Sequence, residues 1–224
     1  MNADSRTTFR TALPWPVVAG ALMISAFMMT LALQADNARW LGWVTLLPLF
    51  LAIQRLGTVR AALAGSYWGI CLAAFSSWGP HSLIEISGLS LGLIALVTGG
   101  YAFVGSHITR RVGFSPLLLA MGWVGVEFAL QPLTSHNGLL ACTQGDGLFV
   151  RTIGQVAGYV LVAFLIAYVN ATIFEILTDV CRTVQSGRRV VESGVADERN
   201  VPSVFTAKYR KFQTQAAPRA PPRN

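Results

Sequence analysis

The sequence predicts an all-α, polytopic membrane helix bundle with about six transmembrane helices. Hydrophobic residues make up 53% of the 224 residues and charged residues 12%, whereas a typical soluble domain has about 25% charged residues. The apolar residues form long blocks separated by short polar clusters, without the period of a soluble amphipathic helix. Because so little charge cannot cover a soluble globule, the expected solvent is a bilayer.

Six apolar runs are candidates for these helices, because a helix needs about 20 apolar residues to cross a bilayer. They are residues 14–33, 40–53, 61–78, 89–108, 114–133 and 153–177. The second run is short and contains Pro48, which predicts a tilted, kinked or partly re-entrant segment. The first run is longer than the core of a secretory signal, and no clear cleavage site follows Leu33, so we expect a retained anchor.

The distribution of Lys and Arg predicts the orientation. With six spans and a cytoplasmic N-terminus, fifteen of these residues fall on the cytoplasmic side and two, Arg39 and Arg151, on the other. Every loop then obeys the positive-inside rule. Both termini are therefore expected in the cytoplasm.

Three regions follow from this pattern: a cytoplasmic N-terminus (1–13), the transmembrane bundle (14–178) and a basic cytoplasmic tail (179–224). Nine bases and three acids lie from Arg182 onwards, which accounts for most of the net charge of +7. The tail is too polar to bury a core, so most of it is predicted to be disordered. Because the excess charge belongs to a topology-setting tail, no nucleic-acid partner is expected.

Motifs for enzymatic chemistry are absent from the sequence. It has no phosphate-binding loop, dinucleotide fingerprint, zinc-protease motif or nucleophile elbow, so no catalytic residue and no cofactor is predicted. Potential metal ligands occur in two separate loops, but nothing in their spacing requires the loops to converge, and no metal site is expected. These residues are His81, Glu85, His136, Cys142 and Asp146.

Two polar residues inside the apolar runs are the candidate structural or functional groups. Glu127 lies in the outer third of the fifth run, where it either has a function or a structural partner within the bundle, or stays hydrated at the interface. Asn170, in the sixth run, is expected to form a hydrogen bond between helices. An aromatic belt at the membrane surface is expected from the aromatic residues in or near the spans, which are Trp40, Trp43, Trp78, Tyr101 and Trp123.

Glycine pairs four residues apart are candidates for close helix packing, because small residues let helices approach in lipid. The pairs are Gly65 with Gly69, Gly88 with Gly92, and Gly154 with Gly158. They favour a packed bundle but indicate no function.

Four segments resemble the N-terminal membrane region of the apolipoprotein N-acyltransferases, which transfer an acyl chain from phospholipid to the N-terminal cysteine of bacterial lipoproteins. The resemblance covers about residues 15–178. It implies a membrane bundle in the inner membrane of a bacterial cell, phospholipid contact and a link to lipoprotein biosynthesis. The segments are WLGWVTLLPLFLAIQR, RAALAGSYWGICLAAFSSW, GFSPLLLAMGWVGVEFAL and IGQVAGYVLVAFLIAYVNATI.

Departures from the family pattern bear on activity. The family has Trp and Arg soon after the Glu that matches Glu127, where this sequence has Phe128, Ala129 and Leu130. The family's Glu-Lys-Cys set lies in a nitrilase-like domain, for which the 47 residues after Leu177 are too few. We therefore expect no acyl transfer by this chain alone.

The leading hypothesis is a catalytically incomplete relative that acts as a lipid-contacting scaffold or as a subunit of a larger membrane assembly. The alternative is the membrane half of a split acyltransferase, or a conjugal-transfer accessory protein, working with a separate nitrilase-like partner. A small transporter is a third possibility, but Glu127 and Asn170 are few groups for a transport path, and no internal repeat is evident.

Overall fold

The protein is described here by a computed structural model, in which residues 14–77, 88–133, 139–144 and 148–199 are placed. All regular secondary structure in these ranges is helical, which confirms the predicted fold class. The chain divides into two compact units, Met1–Leu177 and Thr178–Asn224. The predicted N-terminal region, most of the basic tail and four of the five potential metal ligands (His81, Glu85, His136 and Asp146) lie outside the described residues.

Seven α-helices and two short 3-10 segments make up the described chain. The α-helices are α1 (Trp15–Gln34), α2 (Leu47–Arg55), α3 (Thr58–Ser76), α4 (Gly88–Arg111), α5 (Pro116–Leu130), α6 (Leu139–Thr143) and α7 (Leu148–Arg199). The 3-10 segments are Asp36–Trp43, before α2, and Gln131–Leu133, directly after α5. Prolines occupy the first turns of α1, α2 and α5, where a missing N–H costs no helical hydrogen bond.

Five segments of the described chain are long and apolar enough to cross a membrane, and they match five of the six predicted runs. They are Trp15–Gln34, Thr58–Ser76, Gly88–Arg111, Pro116–Leu133 and Gly158–Gln185. Each buries one face in the core and leaves large apolar side chains exposed on the other. Leu96, for example, is 71% exposed and Met121 59% exposed, as expected for side chains that contact lipid.

The second predicted span, residues 40–53, is not one helix. The chain forms the 3-10 segment Asp36–Trp43, turns, and begins α2 at Leu47. Helix α2 has nine residues, about 14 Å of rise, which is less than half of the roughly 30 Å apolar thickness of a bilayer. Pro48 lies in its first turn, so the proline marks the start of a short helix instead of bending a long one.

The short helix α2 nevertheless brings the chain back to the end of the bundle where α4 finishes. The guanidinium Nη2 of Arg110 donates a hydrogen bond of 2.8 Å to the carbonyl of Leu56, and the Ser106 hydroxyl lies 3.4 Å from the same oxygen. We call this side, which carries Arg60, Arg110 and Arg111, the arginine end. The two basic turns that the positive-inside rule places together do lie together.

Helices α3 and α4 pack with their backbones in close contact, and Gly65 and Gly69 form this contact. A Cβ added at Gly65 would lie 2.5 Å from the carbonyl oxygen of Thr98, and one at Gly69 would overlap the Thr98 side chain. Glycine is required here because the opposing atoms belong to the neighbouring helix.

The glycines of α7 have a different role from the expected helix contact. Gly158 has φ of 79° and ψ of 162°, a conformation that is essentially restricted to glycine, and no atom of the described structure would lie within 4 Å of a Cβ there. A Cβ at Gly154 would meet only the Tyr159 ring of the same helix, at 3.7 Å. Gly158 therefore marks a break in the helix, and within the described structure a Cβ at neither glycine would meet another helix.

Helix α7 continues through residues 179–199, which belong to the predicted tail. The boundary expected after residue 178 lies next to the division between the two compact units. Disorder of the tail as a whole stays a prediction.

Candidate functional site

The Glu127 carboxylate is enclosed in the bundle and accepts three hydrogen bonds. The residue lies in the last turn of α5 and is 6% exposed. The Trp123 indole Nε1 donates to Oε1 at 2.8 Å, the Leu140 backbone N–H donates to Oε1 at 2.9 Å, and the Leu139 N–H donates to Oε2 at 2.5 Å. In the structure Glu127 therefore has a partner within the bundle and is not a hydrated residue at the interface.

The two backbone donors belong to the first turn of α6. The first N–H groups of a helix have no acceptor within the helix, and a carboxylate at this position satisfies them while interacting favourably with the helix dipole. Glu127 therefore acts as a remote cap for a helix that begins twelve residues later. No basic side chain of the described residues forms a salt bridge with it, and its hydrogen bonds come from two backbone amides and one indole.

Trp123, which donates a hydrogen bond to the Glu127 carboxylate, lies one helical turn earlier on α5. Its indole is fully buried and meets the Trp68 and Tyr101 rings edge to face, at centroid distances of 5.8 and 5.4 Å. The Tyr101 hydroxyl donates to the Leu119 carbonyl at 3.1 Å. Trp123 and Tyr101 are thus interior residues, and the expected placement in an aromatic belt is wrong for both.

Asn170 connects α7 to the start of α2. Its side-chain oxygen accepts the Leu46 N–H at 3.0 Å, and its amide nitrogen donates to the carbonyls of Gly42 and Ile166, both at 2.9 Å. Leu46 precedes α2, and Gly42 lies in the 3-10 segment, so both backbone groups belong to the interrupted second span. Asn170 forms a hydrogen bond to another part of the bundle, as expected, but its partners are backbone groups of the irregular stretch before α2 and do not lie within another long helix.

A second set of hydrogen bonds secures the same irregular stretch against α1. The Ser25 hydroxyl donates to the Thr45 carbonyl, and the Thr45 hydroxyl donates to the Ser25 carbonyl at 2.9 Å. The Trp68 indole N–H donates to the Ser25 hydroxyl oxygen at 2.9 Å. Ser25 and Thr45 are both buried. Non-helical backbone at membrane depth must be satisfied by protein groups, and these side chains do so.

The 3-10 segment Asp36–Trp43 contacts α6. We call this side of the bundle, which also includes the C-terminal end of α5, the α6 end. Gln144 accepts from the Trp43 indole at 2.9 Å and donates to the Arg39 carbonyl at 3.1 Å. A Cβ at Gly42 would lie 2.5 Å from the Thr143 hydroxyl oxygen. Glu127 thus fixes α6, and α6 in turn fixes the 3-10 segment.

Reactive chemistry has little support at this site. The three cysteines are free thiols, and burial raises the pKa of the Cys142 thiol to about 11, with a further contribution from the nearby Glu127 carboxylate. A thiol with such a pKa is almost fully protonated at neutral pH and is a poor nucleophile. Within the described residues, no three His, Cys, Asp or Glu side chains come together as a metal site. Cys142 is the one described member of the five potential ligands.

The long apolar helices, together with irregular segments whose backbone groups are hydrogen-bonded inside the bundle, define a multi-pass membrane domain. Residues 25–172, about two thirds of the chain, match the apolipoprotein N-acyltransferase N-terminal domain family. The chain belongs to this family, as the resemblance suggested. No curated protein and no solved structure matches the chain.

Several residues that build the site were not predicted from the sequence. Ser25, Thr45, Trp68 and Gln144 lie at positions that look like ordinary loop or span residues. Trp123 carries the one available signal, since it stands four residues before Glu127 and therefore on the same face of α5.

Proposed function

We propose that this protein is a catalytically incomplete acyltransferase-like membrane domain that acts as a lipid-contacting scaffold or as a subunit of a membrane assembly. The observation that carries the proposal is the state of Glu127. The intramembrane carboxylate binds two backbone amides and one indole of its own chain, which supports a structural role. Intramembrane carboxylates are by default functional candidates, but this one has its donors within the fold.

The second support is the state of the other reactive group near this site. Cys142 lies in α6, next to the Glu127 carboxylate, with a raised pKa. A thiol that attacks an ester needs a base or a lowered pKa, and Cys142 has the opposite environment. The exposed apolar side chains around the bundle favour contact with phospholipid acyl chains.

An acyl-transfer assay tests the proposal. The full chain is purified into phospholipid nanodiscs and incubated with a diacylated peptide that has an N-terminal cysteine, and mass spectrometry follows the gain of an acyl chain. We expect no product beyond that of empty nanodiscs. A catalytically active member of the family serves as the positive control. Acyl transfer by the isolated chain would overturn the proposal, whether or not it depends on a cysteine. A variant with all three cysteines changed to Ser distinguishes these two cases.

We place partners and location within the same proposal: the inner membrane of a bacterium, lipoprotein biosynthesis, and either a separate nitrilase-like protein or other membrane subunits. The α6 end is the favoured docking surface for such a partner. Side-chain hydrogen bonds fix its 3-10 segment, and Trp40 in this segment is 64% exposed. Exposed aromatic residues are frequent anchors in interfaces. Co-purification of a nitrilase-like protein that is lost in Trp40→Ala but kept in Trp15→Ala would support this partner.

A further inference from the structure

The arginine end gathers positive charge on two adjoining turns. Arg110 lies over the turn between α2 and α3, with its Nη2 at 2.8 Å from the Leu56 oxygen and 3.8 Å from the position of a Cβ on Gly57. Arg60, in the first turn of α3, and Arg111, the last residue of α4, are both exposed. Three guanidinium groups from two helices therefore lie at one end of the bundle.

These charges are not neutralised by the part of the protein that the structure describes. The salt bridges among the described residues are Arg39 with Asp36 and Arg182 with Asp179, and neither involves the arginine end. Arg110 donates to a neutral carbonyl, which positions its guanidinium but leaves the positive charge in place. Among the described residues, an anion at this end would meet three cations that form no salt bridge with a carboxylate.

Exposed apolar side chains stand directly beside the arginines. Val59 precedes Arg60 and is 68% exposed, Leu63 lies one turn further along α3 and is 59% exposed, and Val112 follows Arg111 and is 75% exposed. A soluble anion would form no favourable contact with these apolar side chains. A molecule with an anionic head and apolar chains matches both halves of the surface.

We propose that Arg60, Arg110 and Arg111 form a binding site for the headgroup of an anionic phospholipid, with the apolar part of the lipid against Val59, Leu63 and Val112. The inference deepens the proposed lipid-contacting function, on which it rests, by naming the lipid class. Guanidinium groups bind phosphate oxygens through two parallel N–H bonds. An anionic lipid is preferred over a zwitterionic one because the ammonium group of the latter would be repelled by the same three cations.

Lipid selectivity in nanodiscs tests this site without interference from membrane orientation, since both leaflets have one composition. Nanodiscs are prepared with phosphatidylglycerol and phosphatidylcholine in equal amounts, and native mass spectrometry measures the lipids that stay bound when the purified full chain is released. Wild type is expected to retain phosphatidylglycerol preferentially. The double variant Arg60→Gln/Arg111→Gln is expected to lose this preference by about fivefold for each arginine removed.

Two controls separate charge at this site from other effects. Arg60→Lys/Arg111→Lys keeps the charges and should keep most of the preference, and Arg39→Gln removes a charge at the α6 end and should keep all of it. Far-UV circular dichroism checks that each variant is folded. Inorganic phosphate in the buffer should not displace the lipid, because it lacks the acyl chains.

Equal retention of both lipids by wild type would overturn the proposal, and so would a preference that survives in the Arg60→Gln/Arg111→Gln variant. If that variant does not fold, the Arg39→Gln and Lys variants are compared with the single changes Arg60→Gln and Arg111→Gln, and selectivity unchanged in both singles contradicts the site. Neither result bears on acyl transfer, so failure here is distinct from failure of the proposed function.

Discussion

At the scale of single residues, the position of Glu127 is explained by the groups around it and not by its distance from the membrane surface. Its depth in the fifth run could be counted from the sequence, and a partner within the bundle was one of two predicted outcomes. The identity of the partner could not be predicted. Backbone amides of α6 leave no mark in the side-chain sequence, and α6 itself is a five-residue helix that lacks a helical period.

Changing Glu127 to Gln should destabilise the bundle while altering no reaction of the protein. An amide has one acceptor oxygen for three donors, and its NH2 group would face at least one of the N–H groups that now bind the carboxylate. Leaving a buried donor unsatisfied costs about 1–3 kcal/mol. Thermal unfolding in detergent should show a lower midpoint for this variant.

The matched control for that experiment is Asp36→Asn, since the Asp36 side chain is 85% exposed and forms a surface pair with Arg39. Such pairs contribute about 0–1 kcal/mol, so its midpoint should stay near that of wild type. A Glu127→Gln protein as stable as Asp36→Asn would contradict the capping role.

Cys142 should react slowly with alkylating reagents near neutral pH and faster as the pH rises. Its pKa of about 11 means that the thiolate, the reactive form, gains about tenfold per pH unit until the pH approaches that value. Labelling by iodoacetamide at pH 7.5, followed by mass spectrometry of each cysteine peptide, should show Cys142 modified more slowly than the exposed Cys181. Denatured protein gives the reference in which this difference should disappear.

At the scale of elements, the long helices were predictable and the interrupted one was not. Five runs had both the length and the hydropathy of a span, and the boundaries of the first four of these agree with the structure within a few residues. The sixth run differs at both ends, because its span begins at the break at Gly158 and extends to Gln185 instead of ending at residue 177. The second run was recognised as short, and Pro48 was recognised as a disturbance. Its division into a 3-10 segment and α2 depends on hydrogen bonds from Ser25 and Asn170, which lie in other runs.

The glycine contact between α3 and α4 predicts a position-specific effect of adding one methyl group. Gly65→Ala would place a carbon 2.5 Å from the Thr98 oxygen, so the two helices must separate and lose packing. A cost of about 1–3 kcal/mol is expected for such overpacking, measured as a lower midpoint of thermal unfolding.

Gly92→Ala supplies the comparison for Gly65→Ala, because a Cβ at Gly92 has no described atom within 4 Å. Its midpoint should equal or slightly exceed that of wild type. If both alanine variants unfold at the same temperature, the close approach of α3 and α4 at Gly65 is not important for stability.

At the scale of the whole molecule, the alternation of the predicted spans agrees with the order of the helices even though one span is interrupted. Leu56 and Arg110 meet at the arginine end, whereas Arg39 and Gln144 meet at the α6 end. Charge counting could place these turns on two sides because each basic cluster is local in sequence. It could not predict the contacts between turns, since these depend on side chains brought together by packing.

Accessibility to a membrane-impermeant maleimide should show the orientation directly. In a protein with its three natural cysteines changed to Ser, Asn37→Cys at the α6 end should label in intact spheroplasts, and Val112→Cys at the arginine end should label only after permeabilisation. This follows from the positive-inside rule. The reverse pattern would place the arginine end outside and would contradict a cytoplasmic C-terminus.

The bond between Asn170 and the Leu46 amide has a consequence for biogenesis. Its two residues are 124 positions apart, so the chain leaves the ribosome and enters the membrane with the start of α2 still lacking one of its permanent acceptors. Until α7 is inserted, the Leu46 N–H must donate its hydrogen bond to water, to lipid or to the insertion machinery. The hydrogen bonds of the second segment can therefore be completed only after α7 has been synthesised, although the segment itself is made early.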